Sequence, residues 1–381
     1  MKFNSCLILS IFFLTGTFFS EAQELEITHI NIGQGSSTLI QGPDSSGQRI
    51  SVLYDCGQTL TKGSPKDGGK IIYDVLSNKG ISELDYLIIS HYDADYLGGI
   101  VFGTNNSHRT SFALGPNNVP GNLGDDDGNG KKDWLDSNNE KFDFPEWGLG
   151  DDIKIKKIID RGDKKPSNSK TFKKYKIFTE ATKRVSLDSL DDIQDFVIDL
   201  GGGAKMTCLS ANGFVLGKGK VDKAESENER SISFLIEFGA FDYLLGGDLI
   251  GKRGTAQGPE DARLEYYVGK YLTDKSINID AFQVNHHAAN NTSELGFLNL
   301  IKAEVAIASV GKNGYGHPHP DNLERLLSSG VKGVYQTNKG KPAWTLSDYV
   351  KSRQVITNDH VVLITNGVSY RINEDVYICD N

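Results

Sequence analysis

His91, Asp93 and Asp95 alternate in the segment His91-Tyr92-Asp93-Ala94-Asp95-Tyr96-Leu97-Gly98-Gly99, directly after the run Leu87-Ile88-Ile89-Ser90. An extended chain points residues two apart to the same side. One imidazole and two carboxylates therefore converge where a buried strand ends, while Tyr92 and Ala94 face away. Nitrogen and oxygen donors grouped this way are ligand types for a divalent cation. Gly98 and Gly99 permit the sharp turn that a strand-to-helix corner needs. Taken alone, the segment also reads as a solvated polar loop; the placement of the other histidines weighs against that.

The chain has eight histidines. His286-His287 ends the run Asp280-Ala281-Phe282-Gln283-Val284, and His317 and His319 sit in Gly316-His317-Pro318-His319-Pro320 after the run Val305-Ala306-Ile307-Ala308. Asp248 stands in the same position after Tyr243-Leu244-Leu245-Gly246-Gly247. Four strand ends carrying metal-competent groups imply one rim of a sheet.

In order, Asn31-Ile32-Gly33-Gln34-Gly35, Leu53-Tyr54-Asp55-Cys56-Gly57, the His91 segment, Gly247-Asp248, His286-His287 and Gly316-His317-Pro318-His319-Pro320 resemble the metallo-β-lactamase superfamily. They are most similar to the exported hydrolase domain of ComEC competence proteins. The resemblance runs from about residue 25 to about residue 370 around one long insertion. It implies an α/β fold, a four-layer αββα sandwich with metals at one edge between two sheets. It also implies that His91, Asp93, Asp95, Asp248, His286, His287, His317 and His319 surround one or two ions, with Asp248 able to bridge two. Asp95, His286 and His319 would be catalytic, Asp95 orienting the attacking water; Asp55 would be structural. The chain departs from the pattern at Ser36, where the family has Asp, and at Tyr96, where its metal segment ends in His. It also lacks the His that many members carry before Gly-Asp.

A metal lowers the pKa of bound water from about 15.7 to about 7, so hydroxide forms without a strong base. Imidazole favours Zn²⁺, and the extra carboxylates harden the site toward Mn²⁺ or Mg²⁺, which makes Zn²⁺ or Mn²⁺ the expected ion. Neither a Gly-x-Ser-x-Gly elbow nor a Walker-type loop is present, so water is the expected nucleophile. A phosphodiesterase or nuclease-like hydrolase is the leading reading. A lactone or ester hydrolase on the same site, and an inactive binding protein on this scaffold, are the alternatives.

The 381 residues suffice for one large or two ordinary domains, and 38% hydrophobic with 24% charged content is globular. The start, with an apolar run from Cys6 to Phe19 and then Ser20-Glu21-Ala22, has the form of a signal peptide cleaved after Ala22. An exported protein, periplasmic or extracellular, follows, with no transmembrane segment in the mature chain. Cys56, Cys208 and Cys379 then remain, which is no disulfide framework. The net charge of −9 repels polyanions and disfavours nucleic acid against a small-molecule or phosphodiester substrate, although a local groove with Lys312 and Lys332 could behave otherwise.

Strands are expected at Leu25 to Asn31, Ser37 to Gln41 and Ile50 to Tyr54, then a helix from about Lys70 to Asn78. A hairpin over Ser231 to Phe238 and Phe241 to Leu245 follows. Helices at Pro259 to Leu272, Glu294 to Lys302 and Pro320 to Ser329 alternate with strands at Ile279 to Val284 and Val305 to Ser309. Val361 to Thr365 and Val368 to Ile372 read as a type I′ hairpin across Asn366-Gly367.

Residues about 102 to 172 read as a long surface insertion beside the site entrance. Within it, Asp125, Asp127, Asn129, Lys131, Asp133 and Asp136 have the spacing of a Ca²⁺ loop, with Gly130 at its turn; an acidic solvated loop is the alternative. His29 is expected to be structural, and Trp134, Trp147 and Trp344 receive no role. Lys312-Asn313-Gly314-Tyr315 reads equally as a plain turn and as a contact for an anionic substrate group.

Overall fold

A computed structural model describes residues 23–43, 49–58, 67–101, 110–115, 152–222, 224–252, 263–341 and 344–379. The expected signal peptide 1–22 and the expected Ca²⁺ loop 125–136 lie outside the described residues.

Among the described residues, two large sheets carry the fold, beside a small parallel pair of Glu83–Leu84 with Lys154–Ile155. The first orders its nine strands Asp375–Ile378, Ser369–Ile372, Val361–Thr365, Leu25–His29, Thr38–Gln41, Ser51–Tyr54, Tyr86–Ile89, Lys157–Asp160 and Lys183–Ser186. The second runs Gly219–Lys220, Phe214–Val215, Ala204–Ala211, Ser233–Phe238, Phe241–Leu245, Ala281–Gln283, Val305–Ala308, Gly333–Gln336 and Gln354–Ile356, with Val197–Gly201 paired beside Ala204–Ala211.

Alternation along the strands explains the layering. Val52, Tyr54, Ile88 and Ile159 face one core shared with the second sheet, whereas Leu53, Leu87, Ile89 and Ile158 face another, against Ile72 and Leu76 of the helix Gly68–Asn78 and Phe172 and Phe178 of the helix Lys170–Ala181. The second sheet is covered on its far side by Val268, Leu298 and Leu326 of the helices Leu264–Asp274, Leu295–Ile301 and Pro320–Ser328. This is a four-layer αββα sandwich. Each fully buried Leu or Ile contributes ~1.5–3 kcal/mol, so a one-residue slip that exchanged the two faces would forfeit many such terms. The Tyr54 hydroxyl ties the sheets together, donating to the Ile232 carbonyl at 2.6 Å.

Each sheet is antiparallel on one side and parallel on the other. Ser51–Tyr54, Tyr86–Ile89 and Lys157–Asp160 are parallel neighbours in the first, and Phe241–Leu245, Ala281–Gln283 and Val305–Ala308 in the second. Parallel strands end on a common edge, where α/β sheets bind ligands. The His91, Asp248, His286 and His317 loops all leave from that edge.

Two expectations are corrected. The insertion does not extend to residue 172: Lys157–Asp160 pairs in parallel with Tyr86–Ile89, and its Ile158-Ile159 pair is too short, between Lys157 and Asp160, to stand out as a strand. The strands between Lys183 and Ala211 were also not anticipated, because their faces alternate with charged residues. The last hairpin is not type I′: Thr365 pairs with Tyr370 across a longer loop, and Gly367 is its positive-φ position (φ 84°), whereas type I′ needs two. All three described cysteines are free and buried.

Asp242 lies directly opposite Glu237 in the hairpin, and Lys205 offsets this like charge only in part. Burial first, then Glu237 and Asp280, push its carboxyl up to about 7. The folded chain therefore holds a proton that the unfolded chain releases near 3.8, and stability falls as pH rises between those values. Asp242→Asn should flatten that decline and leave the protein more stable at pH 8. The expected gain is about 1–2 kcal/mol, discounted from ~4 for partial exposure, and thermal melts from pH 4 to 8 measure it.

Candidate metal centre

The turn after Tyr86–Ile89 carries the first donors. Asp55, with φ 60° at the end of the neighbouring strand, accepts the Ser90 N–H at 2.7 Å on a buried carboxyl that burial raises to about 8. That is the structural role expected of it. His91 is fully buried. Its Nδ1 faces the hydroxyls of Ser90 (3.0 Å) and Ser231 (3.4 Å), which turns Nε2 toward Asp93 Oδ2 (3.6 Å) and Asp248 Oδ2 (3.5 Å). The buried His91 Nε2 makes no hydrogen bond.

Adjacent imidazoles on an extended strand would point to opposite sides. Here His286, His287 and Ala288 all take left-handed backbone angles (φ 48°, 54° and 60°), which brings both rings to the same edge. Such a run is strained for residues with a Cβ and persists only where its surroundings hold it. Glu265 accepts from Asn285 Nδ2 (2.7 Å) and the Ser293 N–H (2.9 Å), and Asn322 Nδ2 donates to the carbonyls of Ala289 (2.7 Å) and Thr292 (3.0 Å). The His287 Nδ1–H donates to the Ser309 carbonyl at 2.7 Å, which turns Nε2 toward Asp95 Oδ2 at 3.3 Å.

His286 Nε2 lies 3.7 Å from Asp248 Oδ2, and Asn228 Nδ2 donates to the same oxygen at 3.2 Å. Tyr96, nearly inaccessible, donates its hydroxyl to Asp248 Oδ1 and sits 3.0 Å from His287 Nε2. The His317 ring stands 5.2 Å from that of His286. A cavity of about 290 Å³ is lined by Asp93, Asp95, Asp248, His286, His287 and His317. Gln34, Gln58 and Tyr315 rim it, and Tyr315 is 75% exposed.

Electrostatics follow from this packing. Burial opposes charge on His91, but Asp248 and Asp93 outweigh it and hold the imidazole well above its ordinary range. Burial likewise opposes charge on Asp248 and Asp95, yet His286 and His91 around the first, and His287 beside the second, keep both carboxyls below the ordinary range. Burial, with His287 and His286 alongside, depresses His317 to about 3, so it is neutral at ordinary pH.

Seven of the eight expected ligands thus converge, and His319 does not. Its side chain caps the helix Pro320–Ser328, accepting the Asp321 N–H at 3.2 Å with its ring against Trp344 (5.1 Å), because Pro318 and the helix start turn it away from His317. Among the described residues, no group of three or more His, Cys, Asp or Glu is already closed around a metal position. His91 Nε2 nevertheless fits a cation: it is buried, makes no hydrogen bond, and stands 3.5 Å and 3.6 Å from two carboxylate oxygens.

Asn228, Tyr92's partner Glu227, Glu265 and Asn322 were not expected from sequence. Ser36, at the position where the family has Asp, accepts from Gln283 Nε2 at 2.6 Å, and its N–H donates to the Asp95 carbonyl at 3.2 Å. Gly35 (φ 109°) allows this approach: a Cβ there would stand 2.4 Å from the Asp95 carbonyl oxygen. His29 is structural, its Nε2 2.7 Å from the Tyr243 hydroxyl, and Trp344 is 39% exposed with its indole N–H on the Gly316 carbonyl.

No family model matches the chain. Over 345 residues, 88% of this chain, it is 22% identical to ComE operon protein 3 of Bacillus subtilis (strain 168). It spans 34% of that relative, about a third of its length. Among solved structures it is similar to the metallo-beta-lactamase fold protein YhfI of Bacillus subtilis, with 11% identity, TM-score 0.37, and 88% of this chain and 98% of that one covered. It is also similar to unliganded yeast PDE1, with 10% identity, TM-score 0.38, and 89% and 99% covered. An isothiocyanate hydrolase from Delia radicum gut bacteria matches at 9% identity and TM-score 0.39, with 88% and 98% covered. The ordered motifs, the two-sheet sandwich that gathers them on one edge, and the sequence similarity to ComE operon protein 3 together give this chain a metallo-β-lactamase-like fold that resembles the ComEC-type hydrolase domain.

Proposed function

We propose that the chain is an exported metal-dependent hydrolase that acts on phosphodiester bonds through water. The observation that carries this reading is His91 Nε2, buried and without a hydrogen bond, facing Asp93 and Asp248, two carboxylates that line an open cavity. His91, Asp93, Asp248 and His286 would hold the ion, Zn²⁺ or Mn²⁺ by donor type. When bound, such an ion polarises the scissile group and acidifies water. Asp95, kept ionised beside His287 and lining the cavity, would orient water and accept its proton. Neutral His317 and the exposed Tyr315, which also line the cavity, would touch the substrate. No described helix is long and apolar enough to cross a membrane.

A lactone or ester substrate is the second reading, favoured by the net charge of −9, which repels polyanionic chains. Lys332, one of the two lysines of the expected basic groove, is bonded to Glu304 and does not line the cavity.

The test incubates the purified chain with Zn²⁺ or Mn²⁺ and either a chromogenic phosphodiester or a lactone. Asp95→Ala should lower turnover by about 10²–10⁴, the range of a lost acid–base group. Equal background rates for wild type and variant on both substrates would overturn the enzyme reading.

A further inference from the structure

We infer that Tyr96 restricts the site to a single divalent cation, held on the side of His91, Asp93, Asp248 and His286. The inference rests on the metal-dependent reading above. The phenol divides the donors into two groups. On one side, Asp248 Oδ2 faces His91 Nε2 at 3.5 Å and His286 Nε2 at 3.7 Å, and His91 Nε2 faces Asp93 Oδ2 at 3.6 Å. Donors bound at ~2.0–2.1 Å in a tetrahedron lie roughly 3.4 Å apart, so these gaps are of cation size.

The other side is closed. It has His287 Nε2 and Asp95 Oδ2, 3.3 Å apart, and between them and Asp248 stands the Tyr96 hydroxyl, 3.0 Å from His287 Nε2. A second ion shared through Asp248 would need its Oδ1, which already accepts from Tyr96. The tyrosine is also firmly seated. It is 1% exposed, with its ring 4.2 Å from that of His91 and 5.4 Å from that of His287. Its carbonyl accepts the Cys56 N–H at 2.7 Å, so the backbone cannot easily carry it away.

Metal-stripped wild type, Tyr96→Phe and Tyr96→His are titrated calorimetrically with Zn²⁺, and the metal content of the desalted proteins is measured. Mn²⁺ loading is followed by electron paramagnetic resonance. One ion per chain is expected for wild type and Tyr96→Phe, because the phenyl ring still fills the space, with an isolated Mn²⁺ spectrum. Two ions and a spin-coupled spectrum are expected for Tyr96→His. Two tightly held ions in the wild type would overturn the inference while leaving the hydrolase reading intact; this arm does not depend on whether a variant folds. A folded Tyr96→His that still takes one ion would also overturn it. Wild type that binds none would remove the hydrolase reading as well.

Discussion

Arg161→Ala is expected to destabilise the protein by about 3–5 kcal/mol, the range for breaking a buried ion pair from one side. Arg161 is fully buried and grips Glu227 with two hydrogen bonds, Nε to Oε1 at 2.6 Å and Nη2 to Oε2 at 2.8 Å. Its guanidinium lies 4.0 Å from the centre of the Tyr92 ring. Truncation would leave the Glu227 carboxylate with only one cation, the longer contact from Arg230 Nη1 at 3.4 Å, and a cavity over that ring. The effect should also reach the site, because Glu227 Oε1 accepts the backbone N–H of Tyr92 at 2.8 Å, between His91 and Asp93, and Asn228 follows Glu227 in the chain. Urea titrations of Arg161→Ala, Glu227→Gln and the double variant measure the coupling. The double variant should recover part of the loss, since it leaves no unpaired buried charge. A loss below about 1 kcal/mol for Arg161→Ala would mean that Glu227 is solvated and the pair is not what holds this strand end.

What was legible in sequence and what was not follow the range of the forces involved. His91, Asp248, His286 and His317 could be placed on one rim because each follows a short apolar run, and parallel strands end together. Strand alternation and the first helix were legible for the same local reason: Ile72, Val75 and Leu76 recur at helical spacing, and Asp67 caps the first turn through the Lys70 N–H. His319 misled because the Gly-His-Pro-His pattern does not reveal that its second imidazole serves the following helix as a cap. Asn228 carries no local mark; it reaches Asp248 through a single turn, Asn228–Arg230, whose position depends on the distant Arg161. Glu265 and Asn322 support His286-His287 from separate helices, a contact that no spacing along the chain records.

Asp248→Asn should have the largest effect on function while keeping the side chain's shape. Asp248 is 2% exposed, and its two oxygens accept from Tyr96 and Asn228 while facing His91 and His286. An amide has one acceptor oxygen, so one of those donors would meet an NH₂ group instead, and the charge that holds both imidazoles would be gone. Affinity for Zn²⁺ should fall by at least about 100-fold, and hydrolysis by about 10²–10³ or more, read by calorimetry and by the phosphodiester assay. The metal-free chain gives an independent readout. Because the folded carboxyl is held below its unfolded value of 3.8, its stabilisation is present above that pH and is lost as pH falls. Wild type should therefore melt higher than Asp248→Asn at pH 6, and the two curves should converge as the pH drops below about 4. A gap that stayed constant across that range would show that the carboxylate is not paired with His91 and His286 in the folded chain, and retained Zn²⁺ affinity would show that Asp248 is not a ligand.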